Sequence, residues 1–168
     1  MKWTRAELLR QSQKVTFDED VEIDASVFDS NSRINSVKDV RVDGTGWLDD
    51  SADRFYAEIH ITGVMLCPDA ITGEEIEVPF ETDSDEVYVF EDTDEDGARI
   101  VKDEVIELLP AVIDDILLEV PLQVTEAAEG EYPEGNGWKI YSEAEYQEML
   151  KEKVDPRLQI LKDFDSKR

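Results

Sequence analysis

Apolar residues in this chain recur first at helical spacing, then on alternate positions, then at helical spacing again. Residues 4–13 predict a short helix. Thr4 is its cap, Glu7 completes a capping box three positions on, and Leu8 and Leu9 form its apolar edge. Trp3 falls just before the cap, where an apolar residue often packs back onto the first turn. From Val15 the period drops to two. Val15 and Phe17, then Val21 and Ile23, then Val40 and Val42, alternate with polar residues as in half-buried strands. The clearest strand is 54–66. Phe55, Ala57, Ile59, Ile61 and Met65 share one phase, and Tyr56, Glu58, His60 and Thr62 share the other. Gly63 interrupts it, which predicts a bulge or a close backbone approach.

Asp49–Asp53 reads as a hairpin loop before that strand, and Pro68–Gly73 as the turn after it. Ile76, Val78 and Phe80 alternate against glutamates, and 87–90 predicts one more short strand. An acidic, glycine-containing loop over 91–104 follows. Pro110 suits the first turn of a helix carrying Val112, Ile113, Ile116, Leu117 and Val120 on one face, and Pro121 ends it. Residues 126–137 read as a linker. Ser142 with Glu145 opens a polar helix to about Lys151. Asp155-Pro156 opens a last helix with a narrow apolar stripe, Leu158, Leu161 and Phe164. The pattern predicts an α+β fold: a mainly antiparallel sheet over about 15–90, closed or open as a barrel, with short flanking helices. The expected division is a core over 1–125 and a linker with a short helical tail over 126–168.

Charge changes this picture. The net charge is −26 over 168 residues. Residues 1–14 carry +3 and residues 151–168 carry +2, so the stretch between holds −31. Such a surface repels nucleic acid and bare anionic membrane, and it attracts basic proteins and cations. Only the two ends offer phosphate a favourable field. Lys2, Arg5, Arg10, Lys14, Arg157 and Lys162 are therefore the candidate binding residues if the ends converge. One cysteine excludes an internal disulfide framework, and with no apolar leader or membrane-length apolar run the expected location is the cytoplasm.

Candidate chemistry is sparse. Asp92-x-Asp94-x-Asp96-Gly97 spaces its oxygens like a calcium loop, with Asp103 at the twelfth position. Arg99 stands where an apolar residue is usual, and strand rather than helix precedes the loop. An ordinary helix–loop–helix calcium hand is therefore not expected, and an acidic solvated loop, in which such spacings arise by chance, is the expected reading. Cys67 and His60 are the one cysteine and the one histidine, too few for zinc, and their odd separation puts them on opposite faces of one strand. A packed thiol and an exposed sheet-face imidazole are the expected roles. Trp3, Trp47 and Trp138 lack the interleaved basic residues of a nucleic-acid stacking platform and read as packing. Nothing argues for an enzyme, a cofactor or a resident metal.

Several separated segments together resemble the YceD family. They are Met1-Lys2-Trp3, Phe17-Asp18-Glu19, Ile61-Thr62-Gly63 before Cys67-Pro68, Glu77-Val78-Pro79-Phe80, Val105–Pro110 before Ile116–Pro121, and Asp155-Pro156-Arg157-Leu158. The resemblance implies a non-catalytic role in accumulation of large-subunit (23S) ribosomal RNA. Many members carry Cys-x-x-Cys after the glycine-containing strand and further cysteines in the tail. Here the first motif reads Cys67-Pro68-Asp69-Ala70 and the tail has no cysteine, so a zinc role is not implied. The expected partner is a ribosomal or ribosome-assembly protein. The alternatives are direct contact with pre-23S RNA through the basic ends, and an acidic chaperone or nucleic-acid mimic. No membrane or DNA partner is expected.

Overall fold

The computed structural model describes residues 1–91, 97–126, 132, 134–139, 141 and 143–152. Two compact units are distinguished: Met1–Pro68 with Glu74–Val124, and Asp69–Gly73 with Thr125–Arg168.

The first unit is an open five-stranded sheet in the order β2-β3-β4-β5-β6. Its strands are β2 (Lys14–Val21), β3 (Ser36–Asp49), β4 (Arg54–Pro68), β5 (Glu75–Val89) and β6 (Ala98–Ile100). The first four form an antiparallel meander, and β6 joins β5 in parallel. The sheet is mixed and does not close into a barrel. Segments 76–81 and 87–90, read separately in the sequence, are one fifteen-residue strand. The polar run Thr82–Glu86 continues the ladder because its inward side chains find polar partners rather than entering the apolar core: Thr82 and Ser84 bond the helix beneath, and Glu86 accepts from Arg99.

Three short strands escape the sequence pattern, and one of them, β6, lies within the segment read as a loop over 91–104. Lys2–Thr4 (β1) and Val105–Glu107 (β7) pair as a separate antiparallel ribbon. Three residues are too few to display a period. The first helix, α1 (Arg5–Arg10), has the predicted capping box: Thr4 Oγ1 accepts from the Glu7 N–H, and the Glu7 carboxylate accepts from the Thr4 N–H at 2.8 Å. The second, α2 (Leu109–Glu119), carries Pro110 in its first turn and buries Ala111, Val112, Asp115 and Ile116.

The core lies on the inner face. Phe55, Ala57, Ile59, Ile61, Met65 and Cys67 of β4 are all buried, as their shared phase requires. Tilted and edge-on rings pack against them. Trp3, brought in by the β1–β7 ribbon, lies 5.7 Å from Phe17 and 6.3 Å from Phe55, and Phe55 meets Tyr88 at 6.1 Å. Those rings need a floor without side chains. A Cβ on Gly46 would lie 2.4 Å from the Phe55 ring, and one on Gly44 would lie 2.1 Å from the Glu58 carbonyl oxygen and 2.7 Å from Phe17. At Gly63 the expected irregularity is shared between strands. The bulge lies across the ladder in β3 between Lys38 and Arg41, where Asp39 has φ +52°, and Gly63 admits the Val40 backbone and the Phe80 ring.

In the second unit a buried carboxylate organises the 69–73 turn. Asp69 Oδ1 accepts from the N–H of Ile71 at 2.7 Å and of Thr72 at 3.0 Å, and from the Thr125 hydroxyl at 3.1 Å. Its Oδ2 accepts from the Glu126 N–H at 2.8 Å. These donors, led by Thr72, hold the carboxyl well below the usual carboxylate range. The unit also contains the hairpin β8 (Glu134–Gly135) with β9 (Trp138–Lys139), and α3 (Glu143–Glu152). The helix predicted from Asp155 lies outside the described residues.

Two outcomes follow. Gly44→Ala forces a methyl against backbone and costs about 1–3 kcal/mol of folding stability, read by denaturant unfolding. Asp69→Ala speeds amide exchange at Ile71, Thr72 and Glu126. Because the folded Asp69 pKa is depressed, its stabilising contribution is present above the unfolded value and is lost as pH falls toward the folded one, so these amides lose protection in acid.

Candidate functional site

The alternation that buries one face of the sheet presents the other to solvent. Strand register then sets which outward side chains stand side by side. One row across four strands reads Asp18, Asp43, His60, Asp83. On one side of it lie Asp20, Arg41, Thr62 and Glu81, and on the other Thr16, Thr45, Glu58 and Asp85. Asp18 directly opposes Asp43, and Glu58 directly opposes Asp85. Directly opposed like charges weaken a sheet. Folding alone does not call for them.

Arg41 offsets part of that repulsion, and His60 does so when protonated. Arg41 holds Asp18 through two parallel bonds, Nε to Oδ1 at 2.9 Å and Nη2 to Oδ2 at 2.7 Å. His60 stands among three carboxylates. Its Nδ1 is 2.7 Å from Asp83 Oδ1, its Nε2 is 3.7 Å from Glu81 Oε1, and Asp43 faces it across the ladder. The Asp83 hydrogen bond raises the His60 pKa above its ordinary value; partial burial opposes it, and the charges of Asp83, Asp43 and Glu81 add to it.

The face ends in an aromatic strip. Trp47 of β3 and Tyr56 of β4 are register partners and stack at 5.3 Å with 18° between ring planes. Lys14 flanks Trp47 on β2 and Val87 flanks Tyr56 on β5. Both rings are half-buried, so part of each remains in contact with water.

The candidate basic residues fare differently. Arg5 is committed: its guanidinium bonds Asp50 at 2.6 Å and also Asp53, and lies 4.7 Å over the Phe90 ring. Lys2 lies 3.6 Å from Glu107. Arg10 and Lys14 are exposed, Lys14 beside the aromatic strip. Arg157 and Lys162 lie outside the described residues, as do Asp92, Asp94 and Asp96 of the calcium-like spacing. Asp103, its twelfth position, sits with Glu104 in a tight turn between bridged Lys102 and Val105, both at φ +55°. Arg99 pairs with Glu86 at 2.6 Å and Asp114 at 2.9 Å. Among the described residues no group of three or more acidic, histidine or cysteine side chains is placed to hold a metal. Cys67 is fully buried on the inner face, and burial pushes its thiol pKa up, away from nucleophilic use. No helix among the described residues is long and apolar enough to cross a membrane.

The sequence identifies the acidic stretch but not the rows. Alternation shows which residues point outward, whereas their neighbours depend on hairpin register.

These features define an acidic α+β protein built on an open sheet with one ionised face. Within that class, the chain belongs to the YceD family, described as large ribosomal RNA subunit accumulation protein YceD, whose model matches residues 57–165. It is also 36% identical over 169 residues to the uncharacterized protein YlbN of Bacillus subtilis (strain 168), covering 96% of this chain and 94% of that one. No solved structure matches it.

A chemical-shift titration of His60 gives a midpoint above the ordinary value of about 6.5, and Asp83→Asn moves it down. With the folded pKa raised, the attraction is fully present below the unfolded value and is lost as pH rises through the folded one.

Proposed function

We propose that this protein promotes accumulation of 23S ribosomal RNA without catalysing a reaction, by holding a basic ribosomal or ribosome-assembly protein on the outer face of its sheet. The carrying observation is the set of carboxylate rows over β2–β5. They concentrate negative charge on one solvent-facing surface at a cost in sheet stability that a partner of opposite charge would relieve. The family description supplies the RNA. The field supplies the sign of the partner: phosphate is repelled by it, and lysine- and arginine-rich proteins are drawn to it. Direct RNA binding through the N-terminal cations is the weaker reading, because Arg5 is held by two aspartates and Lys2 lies beside Glu107. The reading places the protein in the cytoplasm, where ribosomal subunits are assembled.

The test is a tagged full-length chain recovered from its own cells at moderate salt, with half the sample treated with RNase before washing. Basic ribosomal or assembly proteins are expected to remain after RNase. The triple reversal Asp43→Lys, Asp83→Lys and Asp85→Lys is expected to reduce their retention about tenfold or more. Loss of all retained protein with the RNA would overturn the reading and shift attention to Arg10 and Lys14.

A further inference from the structure

The outer face stops at a strand whose own edge is open. β5 pairs with β4 over its whole length, but β6 covers only Val87–Val89 on the other side. Among the described residues no strand pairs with Glu75–Glu86 along that second edge. Three observations fix which backbone groups point outward there. The Val89 carbonyl accepts from Val101 N–H at 2.8 Å on the β6 side, while Phe90 N–H donates the other way, to Asp53. The β4–β5 register runs unbroken from Arg54–Val89 to Pro68–Glu75. Pro79, which has no N–H to give, falls in the same parity as Val89, where it removes nothing from the β4 ladder. The odd-numbered residues therefore aim both backbone groups at the open edge. Glu81, Asp83 and Asp85 form an uninterrupted stretch of donors and acceptors, and Pro79 ends it.

Those same odd residues put carboxylates on the outer face. Glu81 and Asp83 side chains are 73% and 84% exposed. The even residues face inward, with Ile76, Val78 and Phe80 half-buried at one end. Thr82 and Ser84 bond Glu119 and Asp115 of α2 at 3.0 and 2.7 Å. A strand laid against this edge would meet acids on one side and, toward Pro79, apolar groups on the other.

We infer that β5 receives an extended segment of a basic protein as an added strand, with lysines or arginines alternating with apolar residues. This rests on the protein-binding reading above and specifies how the partner is held. Main-chain bonds to Glu81, Asp83 and Asp85 provide the attachment, and alternate side chains provide the selection. Cross-strand partners stand about 5 Å apart, so each basic residue lies directly opposite a carboxylate. A second copy of this chain is disfavoured at the same edge, since it would bring carboxylate against carboxylate; charge and proline are also how sheet edges avoid self-pairing. RNA lacks the alternating amide and carbonyl ladder of a strand and carries the wrong charge.

The experiment uses the full-length chain and two synthetic peptides, one alternating lysine and valine and its twin N-methylated on the backbone amides of one edge. The twin has the same charge but an impaired ladder. Fluorescence anisotropy at low salt is expected to show the unmethylated peptide binding about tenfold or more tightly than its twin. Amide exchange at Glu81, Asp83 and Asp85 is expected to slow in its presence. Equal binding of the two peptides would overturn strand addition, as would slowed exchange along β2 in place of β5, or no binding at all. None of these three results touches the RNase experiment, so failure here and failure of the protein-binding reading are separable.

Discussion

The period of two, held in register across β2 to β5, is the constraint on which the rest of this structure depends. Every outward position is one residue away from an inward one. A single-residue slip of β4 against its neighbours would turn Phe55, Ile59 and Ile61 to water and carry Glu58 and His60 into the core. The acidic face and the aromatic core are thus two sides of one specification. Gly44, Gly46 and the Asp39 bulge sharpen it, because the rings of Phe17 and Phe55 have room only over the glycines. This coupling lets the outer face bear directly opposed carboxylates: the register is decided on the other side of the sheet.

The legibility of the fold in the sequence follows from the same physics. Long elements show a period, so the capping box at Thr4 and Glu7, the buried phase of β4 and the apolar face of α2 can all be read directly. β1, β6 and β7 are three residues each and show none, and the continuity of β5 is hidden by its polar middle. The candidate site divides similarly. The sign and location of its charge are legible, and so is the outward aspect of His60. The row from Asp18 to Asp83 is not, because it joins residues from four strands whose alignment depends on turns and a bulge. Composition likewise flags Arg5 and Lys2 as cations without revealing the carboxylates beside them.

The family description ties this protein to accumulation of ribosomal RNA, and on the proposed reading the RNA is not its direct contact. An acidic sheet face can act on RNA abundance at one remove, by orienting a basic protein that the RNA needs and keeping its cations occupied in the meantime. On that reading competition would set the direction of transfer: rRNA, with a far greater density of negative charge, would take the basic partner when it is available. Exposed ion pairs suit such an exchange, being individually weak and sensitive to salt.

The β1–β7 ribbon imposes an order of events. The meander joins neighbours in sequence, so its hairpins close short loops and can form early. Trp3 reaches its place over Phe17 and Phe55 only when Lys2–Thr4 pairs with Val105–Glu107, about a hundred residues later in the chain. On a translating ribosome β1 emerges long before its pairing partner and is consequently among the last strands to dock. Until then the ring layer lacks its cover, and the nascent sheet is an unfinished hydrophobic surface beside the particle whose RNA the family serves.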